Sequence, residues 1–360
     1  MRTLLVTESF YPAVDGTTTM VKATADRLIE RGHDLAIVAP APGLTTYRHS
    51  RVTRVSPLGK PGAQVRDAID AFAPDAIVVV TPAATPAGLG RRAIKHARAR
   101  GVSTTVVQTA PVPDLAWEYW RRRIADRADR VVVTAPWLSA RMASLGVPTI
   151  VWTPGVDPLA FTPALRDTWL HDRWAKVRSV DGPRVVVGFV GSLHKRHGVR
   201  ALAGLADVPG ISPVIIGDGP QRDWLADRLP TARFTGALET GDLTVAMASL
   251  DVLVHPGERE TCCHALREAS ASGLPIVAPR AGGAHSWVRP LETGLLYDPE
   301  EEHGLVRAVH AVASDSRRDL LGAEGRRRAQ ARGWDDAVDE LVVHLARVAG
   351  LAESPVDAVR

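Results

Sequence analysis

The chain of 360 residues has few cysteines, few aromatic residues and no long apolar segment. Its two cysteines, Cys262 and Cys263, are adjacent, which excludes a disulfide framework and the paired spacing of a structural zinc site. No stretch approaches the roughly 18 uninterrupted apolar residues of a membrane-spanning helix, and the start of the chain holds only the short apolar run at residues 4–6. We therefore expect a cytoplasmic protein without a secretory signal.

The composition that is present, 45% apolar and 23% charged, is globular and sufficient for two cores. Charge is distributed unevenly: residues 1–180 hold 24 Lys and Arg against 15 Asp and Glu, and residues 181–360 hold 20 against 25. This asymmetry predicts that the first half meets an anionic partner, either a phosphate-bearing substrate or a membrane surface. The basic run at 91–100 is either a solvated helix face or a contact with lipid headgroups. It lacks interleaved aromatics, which disfavours nucleic acid.

Short apolar, β-branched runs alternate with helical patterns, which indicates an α/β fold with parallel sheets. The predicted strands are 4–7, 35–39, 76–80, 104–107, 131–134 and 150–152, then 185–190, 214–216, 233–234, 252–255 and 276–278. Residues 17–31 predict a crossover helix ended by Gly32. The pattern stops and restarts, which predicts two doubly wound domains. The predicted boundaries are 1–155 for the first Rossmann-like domain, 156–182 for a linker, 183–335 for the second Rossmann-like domain and 336–360 for a helical segment.

In such sheets ligands bind beyond the carboxyl ends of the strands. The loops at these ends are 8–16, 81–88 and 108–114 in the first half, and 191–198, 217–220 and 255–261 in the second. Each contains a Gly or Pro, and such loops let backbone N–H groups approach a ligand. With two domains, we expect the site to lie in a cleft between them.

The segment 255–279 predicts strand, loop, helix, glycine stop and strand. Thr261 is the predicted N-cap of the helix, so that the N–H groups near Cys262 and Cys263 would form an anion site. Glu260 precedes this helix and Glu268 lies within it. Carboxylates at these places could accept hydrogen bonds from the vicinal hydroxyls of a sugar nucleotide, or they could be ordinary helix-surface carboxylates.

Glu260 and Glu268, with seven residues between them, are followed by Ser-Gly-Leu-Pro at 272–275 and Ala-Gly-Gly at 281–283. This pattern resembles the carboxylate signature of the retaining GT-B glycosyltransferases of family 4. The segment 9–17, Ser-Phe-Tyr-Pro-Ala-Val-Asp-Gly-Thr, is similar to a loop of the actinobacterial α-mannosyltransferases that use GDP-mannose. Further matches in order are Gly-Val-Asp at 155–157, Phe161, Gly-Phe-Val-Gly at 188–191, Gly-Asp-Gly at 217–219 and Phe-Thr-Gly at 234–236. The resemblance implies a GT-B fold, with an acceptor domain first and a donor-nucleotide domain second.

The resemblance also implies roles for single residues. Glu260 would bind hydroxyls of the donor sugar and Gly16 would lie beside the donor phosphates; these two are the implied catalytic positions. The implied donor-binding residues are Glu268 on the ribose and, around it, Lys195, Arg196, His197, Ser192, Gly191, Thr261, Cys262, Cys263, Gly217 and Gly236, with the pair Gly282 and Gly283 lining the same cleft. The implied acceptor-side residues are Gln108, Thr109 and Trp117. The family needs no metal or other cofactor, and the chain has no Asp-x-Asp triplet to hold a divalent ion against a diphosphate.

The sequence departs from the family after the strand at 185–190. The family has an Arg after Gly191 and a Lys five residues later, and both grip the diphosphate, whereas this chain has Ser192 and His197. Lys195 and Arg196 lie between them, one step out of register. Three explanations stay open: these cations replace the missing pair, donor binding is weaker, or catalysis is lost.

The resemblance predicts transfer of a hexose, with mannose from GDP-mannose favoured, to a hydroxyl of a sugar or lipid-linked acceptor, with retention and with peripheral contact to an anionic membrane at the inner face of the plasma membrane. Two alternatives remain: a transferase that uses a UDP-sugar and a small acceptor, and a non-catalytic scaffold subunit. A nicotinamide oxidoreductase is disfavoured, because neither 188–191 nor 217–219 completes Gly-x-Gly-x-x-Gly.

Overall fold

The computed structural model describes residues 1–13, 15–180 and 182–350. The chain divides into two compact units, one formed by Met1–Pro154 with the segment that begins at Trp334, and one formed by Gly155–Gly333. Each unit is an α/β structure with its own sheet and its own apolar cores. In the part of the chain that the structure describes, no helix is long and apolar enough to cross a bilayer.

The first unit contains an eight-stranded sheet. Its strands are β1 (Arg2–Thr7), β2 (Asp34–Pro40), β3 (Thr46–Tyr47), β4 (Ser50–Val55), β5 (Ala76–Val80), β6 (Ser103–Gln108), β7 (Arg130–Val133) and β8 (Ile150–Val151). Its first five helices are α1 (Gly16–Glu30), α2 (Pro61–Phe72), α3 (Leu89–Arg100), α4 (Trp117–Arg123) and α5 (Pro136–Ser144). The strand order is β3-β4-β2-β1-β5-β6-β7-β8, and every pair is parallel except β3 with β4. The order reverses between β1 and β5, so their carboxyl ends form a topological switch point.

The central strands are continuous apolar runs, because helices cover both faces of a parallel sheet. All five residues of β5 are buried. Strand β4, next to the short edge strand β3, instead mixes Arg and Thr with Val and is only partly buried, which is why its sequence predicted no strand.

The second unit contains a six-stranded, fully parallel sheet. Its strands are β9 (Val185–Val190), β10 (Ile211–Ile216), β11 (Arg233–Gly236), β12 (Val252–Val254), β13 (Ile276–Pro279) and β14 (Gly294–Tyr297). Its helices are α6 (Thr168–Trp174), α7 (Arg222–Arg228), α8 (Thr240–Ala248), α9 (His264–Ala271), α10 (Gly282–Trp287), α11 (Gly304–Ser314) and α12 (Arg318–Gln330). The strand order is β11-β10-β9-β12-β13-β14, so the switch point lies between β9 and β12.

Successive residues of β9 serve the two cores of this unit. Val186 and Val190 belong to one core, and Val187 and Phe189 belong to the other. The residues predicted as a linker also take part: Phe161 and Trp174 lie in the first of these cores. A strand interior that is apolar on both faces fixes the register of the sheet, and with it the positions of the loops at the strand ends.

The last described helix, α13 (Trp334–Val348), belongs to the first unit. Leu341 and Leu345 are buried in the core that contains α1. The Asp339 carboxylate accepts hydrogen bonds from Arg27 (2.9 Å) and Arg31 of that helix. The chain therefore returns to its first unit after it has completed the second. The sequence predicted a helical segment here without assigning it to a domain.

Candidate active site

The carboxyl end of the second sheet is shaped by glycines that let backbone segments touch. Gly191 follows β9 and Gly217 follows β10, with φ of 153° and 137°. A Cβ on Gly217 would lie 2.0 Å from the carbonyl oxygen of Gly191, so no larger residue fits. The Gly217 N–H donates to the carbonyl of Gly236 at 2.9 Å, which connects the end of β11. Three of the predicted donor-binding glycines therefore meet at one place.

The loop after β9 also touches the loop after β12, across the switch point. Gly198 has φ of 69°, and a Cβ there would lie 2.4 Å from the carbonyl oxygen of Pro256. The first loop carries Lys195, Arg196 and His197 in a single 3-10 turn, and the second leads to Glu260. The fold thus brings the departure from the family pattern directly against the implied catalytic carboxylate.

Glu260 is the centre of a cluster of ionisable side chains. Its Oε1 lies 2.7 Å from Nδ1 of His197 and 3.7 Å from Nε2 of His255. Arg196 in turn directs its Nε–H to Nε2 of His197 at 3.2 Å. Burial of Glu260 opposes ionisation, but the hydrogen bond with His197 and the nearby His255 ring outweigh it and hold the carboxyl pKa well below its usual range. The carboxylate is ionised at neutral pH and is held by the hydrogen bond with His197.

His255 ends the predicted strand 252–255, and the sequence indicated no role for its side chain. Its backbone N–H donates to Val277 of β13, so the ring stands at the end of β12, where it stacks on Phe189 with ring centroids 6.2 Å apart. It is 7% exposed. A histidine directly after an apolar strand at a switch point was the signal that could have identified it.

The predicted N-cap at Thr261 is wrong. Helix α9 begins at His264, its N-cap residue is Cys263 with φ of 52°, and no side chain caps it. The left-handed turn at Cys263 delays the start of the helix, and Thr261 is buried three residues before it. Cys262 and Cys263 are buried as well, and burial raises the pKa of the Cys263 thiol, so both side chains pack in the interior of the unit.

Glu268 lies on α9, one residue after a buried arginine. Arg267 donates from Nε to the carbonyl of Cys262 at 2.9 Å and lies over the Trp287 ring. The Glu268 carboxylate, by contrast, has no hydrogen bond or ion pair with the residues that the structure describes, and burial raises its pKa to about 7. A partly buried carboxylate without donors is prepared for a ligand that brings its own hydroxyl groups.

The start of α10 packs against the Glu260 loop. Gly283 donates its N–H to the Glu260 carbonyl at 2.7 Å. A Cβ on Gly282 would lie 2.5 Å from the carbonyl oxygen of Glu258, and one on Gly283 would lie 2.6 Å from the Cys263 sulfur. The two glycines of the family motif thus fix the backbone that carries Glu260. Ser192 and Lys195 are exposed, and neither side chain makes a hydrogen bond or ion pair within the described ranges.

In the first unit, the switch point between β1 and β5 carries a buried carboxylate that the sequence analysis did not select. Oε1 of Glu8 accepts hydrogen bonds from the N–H groups of Ala83 (3.3 Å) and Gly90 (3.1 Å). Burial raises its pKa even though these donors favour the charged form. Glu8 therefore holds the loop after β5 and the start of α3.

The implied acceptor-side residues form two groups. Gln108 and Thr109, at the end of β6, are buried and hold the local backbone: Gln108 donates to the Ala110 carbonyl at 2.7 Å, and the Thr109 N–H donates to Thr81 Oγ1 at 3.3 Å. Trp117 begins α4, is half-buried and stacks on the fully buried Trp120 at 5.6 Å. Trp120 is thus a core residue.

Gly16 is the first residue of α1. The N-cap is Asp15, whose Oδ1 accepts from the Thr18 N–H at 2.8 Å and whose Oδ2 accepts from the Ser9 hydroxyl at 2.7 Å. Val14, in the same predicted loop, lies outside the described residues. Within the described ranges no three His, Cys, Asp or Glu side chains are grouped so that they could hold a metal ion.

The chain is similar to known proteins over nearly its whole length. Residues 14–158 match the family described as Glycosyltransferase Family 4, and residues 184–315 match Glycosyl transferases group 1. The chain is 37% identical over 379 residues to a GDP-mannose-dependent alpha-mannosyltransferase of Mycolicibacterium smegmatis, with 97% of this chain and 98% of that protein covered.

The chain belongs to glycosyltransferase family 4.

This family 4 glycosyltransferase is also similar to a second mycobacterial enzyme and to a solved structure. It is 27% identical to the GDP-mannose-dependent alpha-(1-6)-phosphatidylinositol dimannoside mannosyltransferase of Mycobacterium tuberculosis, over 97% of each chain. The crystal structure of Anabaena HepE in complex with UDP shares its fold, with a TM-score of 0.80, 17% identity, and coverage of 96% of this chain and 100% of that one. The predicted GT-B class and the resemblance to actinobacterial mannosyltransferases are confirmed, and the protein is a glycosyltransferase.

Proposed function

We propose that this family 4 glycosyltransferase moves mannose from GDP-mannose to an acceptor hydroxyl with retention at the anomeric carbon. The observation that carries the proposal is the cluster around Glu260 at the β9/β12 switch point, in a chain similar over nearly its whole length to GDP-mannose-dependent mannosyltransferases. Ligands of open parallel sheets generally bind at the switch point of the strand order, which supports the same location.

In this proposal the two carboxylates have different partners. Glu260 is ionised and held rigidly, so it can accept hydrogen bonds from donor-sugar hydroxyls. Glu268 has no partner within the described residues and takes the ribose hydroxyls of the nucleotide. Arg196 is the cation beside Glu260 that can meet the diphosphate, because its guanidinium is exposed and carries further N–H donors.

The chemistry then depends on positioning and charge stabilisation. No metal is part of the proposal, so the charge that develops on the leaving diphosphate is met by protein donors. In a front-side displacement the leaving phosphate oxygen accepts the acceptor proton as the new glycosidic bond forms and the bond to the diphosphate breaks.

A lipid-linked acceptor is supported by exposed apolar side chains in the first unit. Leu44, Leu58 and Leu115 are 75%, 97% and 105% exposed, in loops that follow β2, β4 and β6. Parallel strands end at the same edge of a sheet, so these loops all leave from one edge, and exposed apolar side chains of this kind suit a membrane surface.

The basic run at 91–100 has fewer cations available to an anionic surface than its sequence suggests. Arg91 and Arg92 donate to backbone carbonyls, and Arg100 pairs with Asp70 at 2.9 Å. Lys95 and Arg98 are exposed without an ion pair in the part of the chain that is described. These two side chains are the ones we assign to anionic headgroups.

The test is hexose transfer by purified protein with GDP-mannose, UDP-glucose and UDP-galactose, each with phosphatidylinositol vesicles or with a soluble mannoside. We expect GDP release that depends on the acceptor with GDP-mannose, and loss of it in Glu260→Ala. Turnover only with a UDP-sugar would favour the soluble-acceptor alternative. Absence of binding and turnover with every sugar nucleotide would favour the scaffold.

A further inference from the structure

Arg196, His197 and Glu260 form a continuous hydrogen-bonded chain. Nε2 of His197 accepts from Arg196 Nε–H at 3.2 Å, and Nδ1 lies 2.7 Å from Glu260 Oε1. A ring nitrogen that accepts a hydrogen bond carries no proton, so the proton of the neutral ring is on Nδ1 and is donated to the carboxylate. The geometry thus selects one of the two tautomers of a neutral His197.

We propose that His197 is a positioning residue that transmits the orientation of Arg196 to Glu260, rather than a cation that replaces the family lysine on the diphosphate. A lysine at this place would offer a flexible ammonium with donors alone, whereas imidazole offers one donor and one acceptor at fixed angles. The positive charge of the chain resides on Arg196, so the relay does not need a protonated ring.

The space around Glu260 supports a fixed carboxylate. Gly257 leaves room for it, because a Cβ there would lie 2.8 Å from Glu260 Oε1 and 2.9 Å from His255 Nε2. His255 faces the same oxygen at 3.7 Å from the end of β12, and the ring of His194 lies 6.4 Å from that of His197. The other charged side chains of these two loops, Lys195, Glu258 and Arg259, are exposed.

The consequence for the reaction rests on the proposed function, in which Glu260 meets the donor sugar. A carboxylate that is oriented before the donor arrives loses less conformational freedom on binding. We therefore expect the relay to affect recognition of the sugar much more than recognition of the nucleotide diphosphate.

The first experiment measures the ring nitrogens of His197 by ¹⁵N NMR in the ligand-free protein at pH 7.5, with His197→Asn for assignment. We expect a protonated Nδ1 and an unprotonated Nε2, and a change mainly at Nε2 in Arg196→Ala. A ring protonated on Nε2, or on both nitrogens, overturns the relay. This measurement needs no donor, so it stands whether or not GDP-mannose is the substrate.

The second experiment compares calorimetric affinities for GDP-mannose and GDP from pH 6 to pH 8. His197→Ala should lower the affinity for GDP-mannose about tenfold and that for GDP less than twofold, since one hydrogen bond to a charged group is lost. His197→Asn should restore most of the loss, because its amide can donate in place of Nδ1–H, and Gly257→Ala should reproduce the loss by displacing the carboxylate. His194→Ala, a neighbouring histidine outside the relay, is the matched control.

Equal losses for GDP and GDP-mannose in His197→Ala would show that His197 acts as a diphosphate cation and would overturn the proposal. Wild-type binding that weakens as the pH rises from 6 to 8, with this pH dependence absent in His197→Ala, would overturn it as well. Failure of His197→Asn to recover would do the same. Absence of GDP-mannose binding by wild type would count against the proposed function, and the NMR result would still decide the relay.

Discussion

The carboxyl ends of the two sheets use their polar residues in opposite ways. In the second unit, ionisable side chains contact one another around Glu260, and glycines bring the loops into backbone contact. In the first unit, Glu8, Gln108 and Asp15 each hold nearby backbone groups, while leucines in the loops after β2, β4 and β6 are exposed. The second edge is therefore built for a ligand of fixed shape and charge. The first edge carries exposed loops whose side chains can change without disrupting a charged cluster.

The largest expected effect comes from adding a methyl group to a glycine that lies in backbone contact, compared with a glycine that has open space around it. Gly217→Ala places a Cβ 2.0 Å from a carbonyl oxygen at φ of 137°, whereas Gly32, which follows α1, has φ of 74° and no atom within 4 Å of the added carbon. We expect a loss of at least about 3 kcal/mol in the free energy of unfolding for Gly217→Ala, from clash and backbone strain together. Gly32→Ala should cost about 1 kcal/mol, from strain alone. Thermal and urea unfolding provide the measurement. Similar losses of stability in the two variants would show that the loops at the carboxyl end of the second sheet are not tightly packed.

The next largest effect concerns the charge of Glu268 in the ligand-free protein. Burial raises its pKa from 4.5 to about 7, so between these values the folded state binds more protons than the unfolded chain. Stability contributed by this residue therefore falls as the pH rises through that range, by up to about 3 kcal/mol. Glu268→Gln removes the ionisation, and we expect it to be more stable than wild type at pH 8 and nearly equal at pH 4.

The matched control for that variant is Glu258→Gln, at an exposed carboxylate in the Glu260 loop. It should leave the pH dependence of the melting temperature unchanged. If Glu268→Gln gave no gain at pH 8 relative to pH 4, the carboxylate would have to be stabilised by solvent, and its availability to a ribose would lose its physical basis.

Nucleotide binding then separates the two carboxylates of the second edge. Glu268→Ala should weaken binding of free GDP about tenfold or more, because hydrogen bonds to a charged group are worth about 1.5 to 3 kcal/mol. Glu260→Ala should leave the affinity for GDP nearly unchanged and lower the affinity for GDP-mannose. Calorimetry with both ligands is decisive, and small, equal losses in the two variants would contradict the assignment.

The sequence was sufficient to predict the layered α/β fold, the central strands and the place of Glu260 in the loop before α9. These follow from continuous apolar runs and from motif spacing, which are local signals. It was insufficient for β4 and β14, whose short or polar runs are stabilised only by neighbouring strands. Thr261 was mistaken for a cap because a cap depends on backbone dihedrals, here the positive φ of Cys263, and not on residue type alone.

The site shows the same limit in another form. In the sequence, His197 was only a departure from the family lysine, because a motif compares residue types at one position. Its contacts with Glu260, 63 residues away, and with Arg196 depend on the approach of two loops at Gly198 and Pro256. Such a pairing between distant segments leaves no trace in spacing, and Glu8 was missed for the same reason.

The smallest expected effect tests the surface of the first unit. Lys95→Ala and Arg98→Ala should each weaken binding to vesicles that contain phosphatidylserine, as measured by co-sedimentation. The expected loss in binding free energy is about 1 kcal/mol for each variant, the value of one cation near an anionic surface. Arg100→Ala is the control, because Arg100 already pairs with Asp70 and should contribute less. Binding should also weaken as added salt shortens the Debye length from about 10 Å at 0.1 M to 3 Å at 1 M.

Leu58→Ser separates the apolar contribution to vesicle binding from the charged one. The loss of binding in this variant should persist at high salt, where the losses from Lys95→Ala and Arg98→Ala disappear. Wild-type protein that stays in the supernatant at low salt would remove the membrane from the proposal and leave a soluble acceptor as the consistent choice.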